Sequence, residues 1–489
     1  MKKILLSALI VSLGLFIGRV SGFFREIIIA NNFGATENSD FIVLLLTTPD
    51  FLVNLLMGGA MSMALVPEFK KLNEEEGQLL YKQVTIVMIL FGLTVCLLSY
   101  PFRSDFISLL ALGMNKEFIE TNQDYFFLSL LALPFSLATG ASLAYLNAKE
   151  RFTITSLSTL IVNLTIIAFI YLSALLDSGF ILISIGLVLA SLLRWLSQVF
   201  AVGLPPIFFK YESNLISSDL LSRYFYALAA GGVIFLLPII VRTVASIDGG
   251  GALSLVNYTI KLVELPLIIL STVFSIIFLP KLSGIYSDGN EVKFLKLASN
   301  ILCFSIFMSI LVTTAMILYA DTVVETIYGW GALSHSQLNN ISENLKVYAI
   351  SLPFQCVNGI VMAIFSSRRD TKRPFIVTTL LGVFVFSLLV LEQPEIKYLF
   401  YILIAFYASM AVCFLIFLRA EHKIFPFYMD VRILALGISL LLITFVILYA
   451  AKSFFTTLEP ILVTFTIGIY VTSMLLVFVL VFRFVNSRN

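Results

Sequence analysis

The stretch Leu5-Leu6-Ser7-Ala8-Leu9-Ile10-Val11-Ser12-Leu13-Gly14-Leu15-Phe16-Ile17-Gly18-Arg19-Val20-Ser21-Gly22-Phe23-Phe24-Arg25-Glu26 decides how the rest of the chain is read. Its apolar run starts after Lys2 and Lys3 and outlasts the core of a secretory leader. No A-x-A-like cleavage site follows, and the apolar character continues past Arg19 through Phe23 to Ala30. The stretch reads as a retained membrane helix. Arg19 follows about fifteen apolar residues, so it sits roughly 22 Å into that helix at 1.5 Å per residue. A guanidinium at that depth asks for water, an anion or a partner.

Composition extends the membrane reading to the whole chain. Hydrophobic residues make up 60% of 489, charged residues 12%, and mean hydropathy is +1.02. A soluble domain is about half apolar and about a quarter charged. So few charges do not cover a water-facing surface of this size, and lipid is the solvent that fits. A net charge of +2 leaves no electrostatic footprint for nucleic acid. Cys96, Cys303, Cys356 and Cys413 all fall in apolar runs, at spacings that match no metal or redox motif, and read as packing residues. His335 and His422 fall in predicted loops and suggest no metal site.

A spanning helix needs roughly 20 mostly apolar residues. About fourteen runs qualify, near 4–30, 39–65, 83–101, 123–147, 153–175, 179–202, 223–245, 252–279, 297–320, 346–366, 374–391, 397–418, 431–451 and 460–482. Lys and Arg gather in alternate loops. One side takes Lys2, Lys3, Lys70, Lys71, Lys149, Arg151, Lys281, Lys293, Lys296, Arg368, Arg369, Lys372 and Arg373, among others. The opposite side takes only Arg103, Lys116, Lys346, Lys397 and Lys452. The positive-inside rule then places both termini in the cytoplasm of a bacterial inner membrane, multi-pass, with an even number of spans.

An internal duplication is visible. Leu65-Val66-Pro67-Glu68-Phe69-Lys70-Lys71 ends the second run, and Phe278-Leu279-Pro280-Lys281-Leu282 ends the eighth. Asn147-Ala148-Lys149-Glu150-Arg151-Phe152 and Ser367-Arg368-Arg369-Asp370-Thr371-Lys372-Arg373-Pro374 occupy the matching fourth and tenth loops at a similar offset. The fold class expected is an all-α integral membrane protein of about fourteen helices, in two six-helix lobes plus two C-terminal helices. The parallel repeats give lobes over 1–205 and 206–425, with 426–489 outside the repeat.

Five basic residues lie inside runs: Arg19, Arg25, Arg194, Arg242 and Lys261, against few acids, chiefly Asp40 and Glu264. Each charge at mid-bilayer costs about 2.5–3.5 kcal/mol on insertion scales. Arg194 and Arg242 lie near run ends, where long side chains snorkel. Arg25 and Asp40 flank a short loop, close enough to pair. Lys261 and Glu264 are three apart on one helix face and also suit a pair. Arg19 has no acid within helical reach, so it is expected to face a cavity. A surplus of buried cations implies an anionic ligand between the halves, and a diphosphate headgroup bound by guanidinium forks supplies that charge. Gly18, Gly22, Gly58 and Gly59 permit bends or close helix approach, and Pro49 and Pro266 permit kinks.

These motifs carry a resemblance. Gly18-Arg19-Val20-Ser21-Gly22-Phe23-Phe24-Arg25-Glu26, then Phe33-Gly34-Ala35 and Asp40-Phe41, resemble the opening of the MurJ/MviN lipid II flippase family of the multidrug/oligosaccharidyl-lipid/polysaccharide exporter superfamily. The likeness continues through Pro49, Gly59-Ala60, Ala64 to Phe69, Tyr258 to Pro266, Leu279 to Ser283 and Asp370 to Pro374. It implies two lobes around a central cationic cavity, with a last helix pair forming a groove for the polyprenyl tail and alternation between inward- and outward-open states. It implies that Arg19, Arg25 and Asp40 are needed for flipping; with the charges inside the runs, the candidate headgroup-binding residues are Arg19, Arg25, Asp40, Lys261, Glu264 and Arg242. Lys261 stands where the family usually has arginine. Val53, Asn54 and Gly58 stand where it usually has two arginines and an acid.

The expected function is flipping of a polyprenyl-diphosphate-linked saccharide from the inner to the outer leaflet by alternating access. Lipid II for peptidoglycan synthesis is the first substrate, and an O-antigen or exopolysaccharide precursor the second. A drug/cation antiporter would need an unpaired membrane acid, and a polymerase a large outer catalytic loop; 102–122 and 321–345 are short and hold no catalytic dyad. The chain is expected to be no enzyme, to act as a monomer among membrane lipids, and to bind no cofactor, metal or nucleic acid. Without a nucleotide-binding motif, the energy source expected is the membrane potential or an ion gradient.

Overall fold

The computed structural model describes residues 2–57, 60–203, 215–368, 372–422, 431–454 and 459–487. Within them the chain is helical: α1 Lys2–Phe33, α2 Glu37–Met57, α3 Ala60–Lys71, α4 Glu74–Ser99, α5 Arg103–Leu110, α6 Lys116–Leu130, α7 Leu133–Ala148, α8 Phe152–Leu176, α9 Ile181–Val202 and α10 Ser218–Ala245. There follow α11 Ala252–Ile277, α12 Leu279–Ser287, α13 Glu291–Leu318, α14 Ala320–Tyr328, α15 His335–Tyr348, α16 Leu352–Ser367, α17 Lys372–Glu392, α18 Ile396–His422, α19 Val431–Phe454 and α20 Pro460–Ser487. Each of the fourteen apolar runs coincides with a helix or with two consecutive ones. Ten helical stretches among the described residues are long and apolar enough to cross a membrane.

The helices start where capping chemistry tells them to. Asn73 closes a capping box with Glu76 at the start of α4, and Ser334 does the same with Gln337 at α15. Asn115, Ser217 and Asn290 accept from the first turns of α6, α10 and α13. Leu97, Leu175, Phe200, Leu391 and Phe465 stand exposed on α4, α8, α9, α17 and α20. Large apolar side chains facing outward around long helices are what a lipid-facing surface requires.

Two packing units form. One comprises Met1–Ser254 with Leu389–Gln393, the other Leu255–Leu388 with Pro394–Asn489. The sequence-derived lobe boundaries at 205/206 and 425/426 lie outside the described residues, and α10 packs on α2 and α3 within the first unit. That unit centres on α1–α8–α9 and on α3, α4 and α7, where Phe69 meets Tyr145 edge-on and Tyr81 meets it tilted at the core. The second unit centres on α13, packed by α16 and α19.

Glycines at four-residue intervals let α1 lie against α8. A Cβ added at Gly14 would stand 2.4 Å from the Ser156 Oγ, one at Gly18 3.0 Å from the Thr159 Cβ, and one at Gly22 3.3 Å from the Asn163 Nδ2. Gly18 and Gly22 are thus packing glycines. Gly58 and Gly59 lie outside the described residues. Pro49 sits buried inside α2 and Pro266 half-buried inside α11, each removing one helix hydrogen bond. Cys96, Cys303 and Cys356 are buried free thiols.

Candidate functional site

In the first unit, the close approach of α1 to α8 builds a polar centre inside an apolar helix pair. The Asn163 side chain on α8 donates from Nδ2 to the Gly18 carbonyl at 2.9 Å and to the Ser21 Oγ at 3.0 Å. Its Oδ1 accepts from the Arg25 Nη1 at 3.2 Å. The other arm of that guanidinium, Nη2, lies 2.8 Å from the Glu26 Oε1, and both residues are buried. The Arg25 Nε is buried without a partner. Asp50, on α2 one residue past Pro49, attracts both Arg25 and Arg194 electrostatically. Two arginines and two acids thus form one buried-to-exposed charge cluster. Arg19 lies outside it, exposed on α1.

This corrects two expectations. Arg25 and Asp40 do not pair: the fork of Arg25 is taken by Glu26 and Asn163. Both oxygens of Asp40 are taken by main chain. And the basic residues inside spans are better matched than the acids at 40 and 264 alone suggested, since Glu26 and Asp50 join them. Of the basic residues inside the apolar runs of this unit, Arg19 is exposed, Arg194 half-buried, and Arg25 and Arg242 buried.

Asp40 caps a helix from outside it. Its Oδ2 accepts from the Gly251 N–H at 2.7 Å, and its Oδ1 accepts from the Ser254 N–H at 2.7 Å and hydroxyl at 2.6 Å. These are N–H groups at the start of α11 with no partner within their own helix. A carboxylate there also meets the positive end of the helix dipole. Gly251, at φ +90°, lies with its Cβ position 2.3 Å from the Ala35 carbonyl oxygen, so only glycine permits the approach. Next to it, the Asn115 N–H donates to Glu37, and the Thr243 hydroxyl donates to the Leu110 carbonyl. Arg242 is buried in the last turn of α10, where a cation suits the carbonyl end of the helix.

In the second unit, the Lys261 Nζ and Glu264 Oε2 pair at 2.7 Å along one face of α11, both half-buried. Glu264 interacts electrostatically with Tyr348 and Tyr407, which are hydrogen-bonded to each other. Asn358 donates to the Tyr407 carbonyl at 3.1 Å, and its Oδ1 is buried without a partner. The ion pair therefore stands near two phenols, of which Tyr348 is buried.

Sequence reasoning missed Glu26, Asp50, Asn163 and the tyrosine pair. The signal available was polarity inside an apolar run. By the same signal Gln198 on α9 stands out, fully buried with both amide atoms unpartnered. Val53, one of the positions where the family usually has arginine, is half-buried on α2. The Asn54 side chain lies outside the described residues. No cluster of three or more metal-binding side chains occurs among the described residues.

The family model described as lipid II flippase MurJ matches residues 29–482. The chain belongs to the MurJ family. It is a multi-pass membrane protein of that family. Among the relatives of MurJ type, a probable lipid II flippase MurJ from Thermotoga maritima is 25% identical over 390 residues, which is 77% of each chain. A solved structure of lipid II flippase MurJ in an inward closed conformation superimposes with a TM-score of 0.82 over 97% of this chain and 98% of that one, at 21% identity. An inward-facing multidrug resistance MATE family transporter of the MOP superfamily follows at a TM-score of 0.70, covering 85% and 98%, at 12% identity. At these identities the structural likeness is one of fold.

Proposed function

We propose that this chain flips a polyprenyl-diphosphate-linked saccharide of the lipid II class from the inner to the outer leaflet of the bacterial inner membrane by alternating access. The observation that carries the reading is the MurJ family match over residues 29–482. The curated relatives are flippases for lipid II by description.

The chemistry of the residues agrees. The exposed guanidinium of Arg19 offers a diphosphate a bidentate partner inside a helix that is otherwise apolar. Arg25, whose fork is taken by Glu26 and Asn163, fixes α1 against α8 behind it. Lys261 offers a second cation, and its pairing with Glu264 lets the ammonium exchange one anion for another as substrate arrives and leaves. Asp40 acts as a positioning residue at the start of α11. Binding energy spent on the headgroup carries the saccharide, and the membrane potential or an ion gradient resets the carrier, at about 2.3 kcal/mol per charge per 100 mV. Both termini lie in the cytoplasm and the chain works as a monomer.

The test is complementation of a bacterial strain depleted of its own lipid II flippase. Rescue of growth by wild type and its loss in Arg19→Ala at equal membrane abundance supports the reading. Failure of the well-expressed wild type to rescue sinks lipid II as the substrate and leaves another lipid-linked saccharide. A second reading, drug/cation antiport, draws on the MATE-like fold. Dye efflux that is indifferent to Arg19→Ala would favour it.

A further inference from the structure

A cavity of about 480 Å³ opens in the second unit where α12 turns into α13. Lys281 on α12 and Lys293 and Lys296 on α13 line it, with Ile285 and Leu297 as apolar wall and Asp288 as the one acid among the lining residues. We infer that this cavity is a binding site for a phosphate-bearing anion, separate from the arginine cluster of the first unit.

Three features converge on that chemistry. First, the three lysines face a single lining acid, Asp288, and the neighbouring acid of the α13 start is engaged elsewhere. Glu291, at the first position of α13, pairs with Arg368 at 3.3 Å, and that guanidinium is held in place over the Phe294 ring at 4.8 Å. Second, Lys293 and Lys296 occupy the first two turns of α13, where the helix already presents partial positive charge. The Asn290 side chain caps only the Lys293 N–H. Cations there are of the wrong sign for the helix, and an anion between them reverses the penalty. Third, the three ammonium groups line one concavity beside apolar side chains, rather than spreading over a convex surface. Phosphate oxygens suit the ammonium groups, and Ile285 and Leu297 suit carbon next to the phosphate.

The place also fits. α12 joins two helices that are long and apolar enough to span the membrane, Ala252–Leu270 and Glu291–Leu318. The cavity therefore lies at a membrane surface, at the level of lipid phosphates. Two sources supply the same chemistry: the headgroup of an anionic phospholipid, and soluble inorganic diphosphate.

The full-length chain in detergent is titrated with phosphatidylglycerol, with phosphatidylcholine as zwitterionic control, and with inorganic diphosphate, reading thermal stabilisation as a function of concentration. Phosphatidylglycerol or diphosphate is expected to bind more tightly than phosphatidylcholine. The triple variant Lys281→Gln/Lys293→Gln/Lys296→Gln is expected to weaken that binding by about fivefold per lysine, roughly a hundredfold in all. Asp288→Asn, which removes the opposing charge, is expected to tighten it about fivefold. Phosphatidylglycerol binding alone assigns the site to a lipid headgroup, and binding of both assigns it to the phosphate itself. Equal binding of the anions and phosphatidylcholine overturns the proposal. So do affinities that move in neither the triple variant nor Asp288→Asn.

Discussion

Asp40 and Ser254, 214 positions apart, are joined by two hydrogen bonds to one carboxylate oxygen, at 2.7 Å from the backbone N–H and 2.6 Å from the hydroxyl. With the Gly251 N–H on the other oxygen, one side chain of α2 satisfies the start of α11. Asp40→Ala is expected to cost at least about 3 kcal/mol, since hydrogen bonds to a charged group are worth about 1.5–3 kcal/mol each and the donors stay buried. Asp40→Asn retains one acceptor oxygen and is expected to recover part of the loss. Thermal unfolding of the purified variants reads this. Unchanged melting with transport abolished would make Asp40 a ligand-binding residue instead.

Glu26 is expected to behave as the obligate partner of Arg25. Glu26→Gln leaves a buried guanidinium without its charge partner, a change worth about 3–5 kcal/mol. Asn163→Leu should add less once Glu26 is gone, because the two hold the same fork. A double-mutant cycle on unfolding measures the coupling. Additive losses would show that Arg25 is not shared between them.

The membrane class, the helical content and the places of the fourteen runs were legible because lipid exposure writes itself into composition. The Lys261–Glu264 pair was legible because i,i+3 residues share a helix face. The rest of the candidate site was not. Adjacent residues on a helix do not normally face each other, so spacing does not point to Glu26 as the partner of Arg25. The role of Asn163 depends on α8 meeting α1, and the role of Asp40 on main-chain groups 211 and 214 positions away. Local spacing carries neither relation.

The glycine stripe of α1 gives a steric prediction. Gly14→Ala places a Cβ 2.4 Å from the Ser156 Oγ and 2.9 Å from its Cβ. The expected cost of this overpacking is about 1–3 kcal/mol. The double variant Gly14→Ala/Ser156→Gly removes both clashing atoms and should regain most of it. Yield of folded protein after extraction, with its melting temperature, is the readout. No rescue by the second substitution would place the strain elsewhere.

Lys261 and Glu264 are expected to matter for transport more than for stability. Their side chains are 24% and 38% exposed, and ion pairs with that much solvent are worth about 0–1 kcal/mol. Glu264→Gln and Lys261→Gln should therefore melt within about 1 kcal/mol of wild type, yet slow translocation at least about tenfold, while Lys261→Arg keeps the charge and the activity. A melting loss that matches the activity loss would reduce the pair to a structural one.

The most direct measurement is translocation itself. The purified chain is reconstituted into liposomes with a fluorescent polyprenyl-diphosphate saccharide, and a membrane-impermeant quencher reports how fast lipid from the inner leaflet becomes accessible. Wild type is expected to accelerate that exposure well above protein-free liposomes. Arg19→Ala is expected to return it to the protein-free rate while reconstituting equally well. No acceleration by wild type, or acceleration untouched by Arg19→Ala, would contradict flipping through the exposed guanidinium of α1.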